Sequence, residues 1–172
     1  DASGDAIYII DPRTFAYVDV NEAAARLHGV SREALRALGV RGAFPDRFDD
    51  AGLRARYDEL IAQHPRALTE ERQIPRADGR LVWAESIRRA VQVDGEWLVI
   101  SVMRDITERK ASQAKLELMH QAINAAPDAI VVIDPVTLAY VDVNEATAQM
   151  YGTTREQLLA RGARQGLQGD AS

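Results

Sequence analysis

The sequence predicts an α+β fold: one antiparallel sheet with helices on one face, followed by a linker helix and a partial second copy of the same domain. Three observations predict it. Apolar runs come in the order two short strands, three helical segments, three longer strands. The late strands are joined at Asp78-Gly79 and Asp94-Gly95, and Asp-Gly between extended runs signals a hairpin because a type I′ turn needs positive φ. Residues 128–167 also repeat residues 5–44 without a gap at a constant offset of 123, with about 23 of 40 positions identical. So long a period is the spacing of tandem domains with a linker, not of a solenoid unit.

The first strand is read at Ala6–Ile10, closed by Asp11-Pro12, where proline presets a turn. Tyr17–Val20 is the second strand and pairs with it as a hairpin. Asn21 caps a helix over Glu22–Leu27, which Gly29 ends. Ser31 caps another over Arg32–Leu38, which Gly39 ends. Asp50 is placed as the cap of a longer helix with Leu53, Tyr57, Leu60 and Ile61 on one face, stopped by Pro65. Leu68–Pro75, Leu81–Val93 and Trp97–Ile106 are the three late strands. From Ile106 to Ala126 there is neither glycine nor proline, and good helix formers dominate.

Composition narrows the function. A chain of 172 residues that is 47% hydrophobic and 27% charged is an ordinary globular sequence. A net charge of −5 argues against a general grip on nucleic acid. Without cysteine there is no disulfide, no thiolate catalysis and no flavin–cysteinyl adduct. The first residues, Asp1-Ala2-Ser3-Gly4, carry no signal-peptide pattern, and no apolar run is long enough for a bilayer. A cytoplasmic segment without direct membrane contact is expected. No glycine-rich phosphate loop and no HExxH motif occurs, so an enzyme is not expected.

The stretch YVDVNEAAARLHGVSREALRALG resembles the N-terminal signature of PAS domains. DGRLVW and SVMRDITERK resemble the late strands and the exit motif of that family, most specifically Asp105-Ile106-Thr107 followed by Glu108-Arg109-Lys110. The resemblance implies a five-stranded antiparallel sheet in the order 2-1-5-4-3, with helices enclosing a cavity. It implies a complete domain at 1–107, a helical signalling linker at 108–127 and the N-terminal part of a second domain at 128–172. It further implies a regulatory role within a larger protein, usually a histidine kinase of a two-component system or a diguanylate cyclase, whose output domain would be the partner in the parent chain.

Candidate residues divide between a pocket and a relay. Strand alternation puts Ala84, Ser86 and Arg88 on one face, and the first two are small enough to face a cavity. Arg88 there would meet an acidic ligand; otherwise it is an exposed arginine near a strand end. Tyr57 joins the pocket from the long helix. His64, beside Pro65, is the candidate haem ligand, and Trp83 with Trp97 the candidate stack for a flavin, against a commoner role in packing. A small metabolite, or no cofactor, is the leading expectation. His28 matches Tyr151 in the second copy, which suits packing better than ligation. His120 lacks the neighbours of a phosphoacceptor histidine. Asp105 and Thr107 stand where strand meets linker and are the expected transmission residues. Leu116, Met119 and Ile123 are spaced as a minimal heptad seam, from which a homodimer is expected.

Overall fold

The structure is a computed structural model describing residues 4–44 and 49–166, with the backbone alone described from 161 onward. The chain divides into two compact units, one ending at Lys110 and the other starting at Ala111.

In the first unit β1 (Ala6–Ile10), β2 (Tyr17–Val20), β3 (Leu68–Pro75), β4 (Leu81–Val93) and β5 (Glu96–Asp105) form one sheet in the order β2-β1-β5-β4-β3. Every pairing is antiparallel. Between β2 and β3 lie α1 (Glu22–His28), α2 (Arg32–Ala43) and α3 (Asp50–Ala62). Alternation decides which face they cover. Ala6, Tyr8, Ile10, Ile74, Ala84, Val99 and Met103 point to the core with Leu35, Leu53, Tyr57 and Leu60 of the helices. Tyr8, Leu35, Ile74 and Val99 are fully buried, each worth about 1.5–3 kcal/mol for an aliphatic or aromatic chain of that size. The opposite sheet face leaves Ile7, Val18 and Ile87 exposed.

Local chemistry fixes the helix ends. The Asn21 side chain accepts from Ala24 N, and Ser31 from Ala34 N, as their residue types require at an N-cap. Gly29 turns left-handed after α1 (φ 72), and Arg76 Nη1 donates to the last carbonyls, Arg26 O and Leu27 O. Gly39 ends the first stretch of α2 as expected, its backbone leaving helical geometry (φ 60, ψ −172), and a further helical turn follows to Ala43. A side chain at Gly39 would meet Phe15 O at 3.1 Å, because Val40 N bonds that carbonyl. The cap of α3 is Asp49, one residue before the expected Asp50, and accepts from Gly52 N.

The two Asp-Gly turns differ. Asp94 and Gly95 both have positive φ, the type I′ geometry between β4 and β5. Between β3 and β4 only Gly79 is positive, and Arg76 N bonds Arg80 O, so a longer loop carries that hairpin.

The second unit contains β6 (Val131–Ile133), β7 (Tyr140–Val143), α5 (Glu145–Met150) and α6 (Arg155–Gly166) around Val143, Ala148 and Leu158. The helix α4 (Thr107–Ala125) precedes them. The repeat holds at the level of atoms. Asn21 Oδ1 accepts from Ile7 N and Ala24 N while its amide donates to Asp5 O; Asn144 does the same with Ile130 N, Thr147 N and Asp128 O. Phe15 and Leu138 share a positive φ, and Arg32–Asp19 recurs as Arg155–Asp142. Among the described residues no helix is long and apolar enough to cross a membrane.

Candidate functional site

Between the helices and the sheet of the first unit lies an enclosed space of about 30 Å³, room for about two waters. Apolar side chains, among them Ile10, Val40, Phe44, Leu53 and Met103, make most of its wall. Its polar floor is one row across the sheet. Tyr8 of β1 is paired with Ser101 of β5, and Ser101 with Arg88 of β4. Directly opposite residues on one sheet face are neighbours, so the three side chains rise from adjacent positions on the cavity face. Burial raises the Tyr8 phenol above its ordinary range and pushes Tyr57 up to about 12, so both stay neutral donors.

A wider pocket of about 200 Å³ adjoins this space and shares Arg56, Tyr57 and Arg88 with it. Glu70 of β3 stands on the boundary. Its carboxylate lies 2.7 Å from Arg56 Nη2, 3.1 Å from Arg72 Nη1 and 2.8 Å from Arg88 Nη2. The Arg88 contact is an ion pair by distance without hydrogen-bond geometry. Burial alone would push the Glu70 carboxyl up, but Arg88 and Arg56 outweigh it and hold it below its ordinary value. Burial likewise lowers the Arg88 pKa, with Glu70 opposing.

The next residue of β3 serves the other face. Glu71 lies 2.7 Å from Arg109 Nη2 and 2.5 Å from Lys110 Nζ, both in the first turns of α4. Those two cations hold the Glu71 carboxyl below its ordinary value. The turn into α4 is bonded to β4. Thr107 Oγ1 accepts from Trp83 N at 2.9 Å, Ile106 N donates to Trp83 O at 2.8 Å, and Asp105 Oδ1 accepts from Thr107 N at 2.8 Å. Lys110 Nζ sits 5.2 Å over the Trp83 ring.

The expected pocket residues are only partly brought together. Tyr57 and Arg88 line the cavity, and Arg88 is buried rather than exposed at a strand end, because Glu70 supplies a counter-charge. Ala84 and Ser86 are fully buried on the same sheet face but outside the lining. Trp83 does not belong with them: it alternates to the outer face, under Lys110. His64 stays outside the lining as well. Its Nδ1 is 3.0 Å from Ala90 O and its ring meets Trp97 edge-on at 5.3 Å. Leu116 and Met119 are 67% and 52% exposed, and Ile123 is half-buried.

Sequence reasoning missed Tyr8, Arg56, Glu70, Arg72 and Ser101. Alternation within Leu68–Pro75 would have separated Glu70 and Arg72 from Glu71, three charged residues that a one-sided sheet must sort between its faces.

Known proteins match this architecture. The PAS domain family model matches residues 4–108, and a second PAS domain model matches residues 117–170. The PAS domain of an HTR-like protein from Haloarcula marismortui superposes with a TM-score of 0.52 at 18% identity, covering 61% of this chain and 84% of that one. An RNA-binding Light-Oxygen-Voltage receptor gives a TM-score of 0.53 at 26% identity, covering 70% of this chain and 35% of that one. A methyl sulfide methyltransferase-associated sensor from Methanosarcina acetivorans is 27% identical over 125 residues, 73% of this chain. The chain spans 12% of the length of that relative. The order of the sheet, the helices on its inner face, the strand-to-helix exit and the paired family matches converge: the chain belongs to the PAS domain family of sensory domains and carries tandem copies of it.

Proposed function

We propose that the first domain is a non-catalytic sensory module whose cavity state is passed through β3 to the exit helix α4. The observation that carries this is the adjacency of Glu70 and Glu71. One carboxylate neutralises the arginines of the cavity, and the next grips Arg109 and Lys110 at the start of α4. Anything that moves Glu70 shifts β3, and Glu71 moves with it. A shift of this kind biases two arrangements of the exit turn, with Asp105 and Thr107 as its hinge. The sensor relative supports the class of function. The parent output, a histidine kinase or a diguanylate cyclase, a cytoplasmic site of action and association as a homodimer through the Leu116, Met119 and Ile123 seam complete the proposal. The net charge of −5 favours a protein or small-molecule signal over nucleic acid.

Glu70→Gln tests the relay without any ligand. It keeps the shape and removes the charge that holds Arg56 and Arg88. Amide hydrogen exchange at Ile106–Ala111 should quicken about tenfold. Changes confined to α3, β3 and β4 would refute a relay into α4.

A further inference from the structure

The polar floor of the cavity is built for more than packing. Tyr8 and Ser101 are fully buried, and Arg88 is 7% exposed. Tyr8 Oη, Ser101 Oγ and Arg88 Nε are buried without a hydrogen-bond partner among the described residues. All three residues line the same space, and they are consecutive partners across β1, β5 and β4. Buried polar atoms almost always find partners, so three orphans in one row, facing one cavity, point to a guest that supplies them. Two hydroxyls and a guanidinium all donate, and a guanidinium cannot accept. The hydroxyls can also accept, but Arg88 obliges the guest to bring acceptor lone pairs, and a negative charge suits it best.

We infer that the cavity binds a short-chain aliphatic carboxylic acid as its anion, the carboxylate seated on Tyr8, Ser101 and Arg88 and the tail directed into the adjoining pocket. That pocket supplies Leu60, Leu68 and the Tyr57 ring for an apolar tail. The inner space takes a carboxylate with slight expansion and nothing much larger, so the acid is small. Arg88 borders both spaces and is the pivot between head and tail. The guest's charge competes with Glu70 for Arg88, which is how binding would reach β3. This deepens the sensory reading above and rests on it.

The test is thermal unfolding of the whole chain in sodium acetate, propionate, butyrate and lactate, against propionamide, butylamine and sodium chloride at equal ionic strength. At least one carboxylate should raise the melting temperature by about 4 °C at roughly 10 mM, with no rise from propionamide. The double variant Tyr8→Phe, Ser101→Ala keeps ring and backbone and deletes two oxygens that lack partners. It should melt within about 2 °C of the parent and lose at least half of the carboxylate shift. A shift unchanged in that variant overturns the site. No shift from any carboxylate also overturns it, as when trapped water fills the row. An equal shift from propionamide overturns the acid but leaves a ligand-binding sensor standing. The Glu70→Gln exchange experiment reads the relay separately, so the two failures are distinguishable.

Discussion

His28 is buried at 4% exposure with its ring edge-on to Tyr8 at 5.9 Å and to Phe44 at 5.6 Å. Burial, helped by the nearby Arg72 and Arg76 charges, pushes its imidazole down to about 4. In an unfolded chain the ring titrates near the ordinary 6.5. Between those values the unfolded chain takes up a proton that the native ring refuses, so His28 favours folding fully above about 6.5 and progressively less as pH falls toward 4. The expected loss is about 2–3 kcal/mol across the window. His28→Phe keeps an aromatic at this contact and should flatten that part of the pH dependence, read from urea midpoints at pH 5 and pH 7. An unchanged slope would reassign the acid sensitivity to other groups. The same scale shows where reading a sequence stops. Asn21 was legible as a helix cap, because that role depends on its immediate neighbours. Its bonds to Asp5 O and Ile7 N were not, since they require the hairpin to bring β1 alongside. Arg88 was assigned its face by alternation, but its burial depended on Glu70, a partner chosen by the register of β3 on β4.

Elements were legible wherever a local period or a capping residue decided them, and β3 and β4 fall at the ends expected from alternation and turn residues. Where tertiary contacts intervened, expectation and structure part. Gly39 ends the stretch from Arg32 as expected, but the further turn to Ala43 was not foreseen; there Val40 N is held by Phe15 O, a contact from the β1–β2 loop. The exit of β5 into α4 was visible as a sequence motif, yet its anchoring on β4 was not. Thr107 Oγ1 stands in for a main-chain acceptor just past the last Ala84–Asp105 pairing, extending the ladder by one bond. Thr107→Val preserves the branched shape and removes that acceptor. It should cost about 1–2 kcal/mol and selectively raise hydrogen exchange at the Trp83 amide. Protection of that amide equal to the parent's would mean the hydroxyl does not anchor the turn.

At the scale of the whole molecule, α4 has no buried residue of its own, and Leu116, Leu118 and Met119 are each more than half exposed. A helix with such a seam suits a two-fold contact, the commonest closed symmetry. The chain should therefore behave as a dimer at about 100 μM by light scattering, and Leu116→Glu should return it to monomer. Because Leu116 is 67% exposed within the chain, the melting temperature of the resulting monomer tests whether the substitution acts on association alone. A parent chain already monomeric, or a dimer indifferent to the substitution, would dispose of the seam. The strand order is the part of the architecture least legible from residues. Hairpins announce themselves through their turns, but β1 meets β5 only after the helices and three strands have been laid down, and the resemblance to a family supplied that pairing rather than any local signal.

That late pairing has a kinetic side. The β1–β2 hairpin closes through contacts a few residues apart, whereas β5 must wait for most of the domain, as the Asp5–Arg104 ion pair across 99 positions illustrates. The second copy brings AIVVI where the first has AIYII, so an unfolded chain offers β5 two nearly equivalent mates. During synthesis the first mate emerges well ahead of the second. In refolding from denaturant both are present at once, and strand exchange between repeats is a characteristic trap. Refolding should show a slow phase whose amplitude collapses when Val131→Pro removes an amide donor from the competitor, while the unfolding rate of the first domain stays the same.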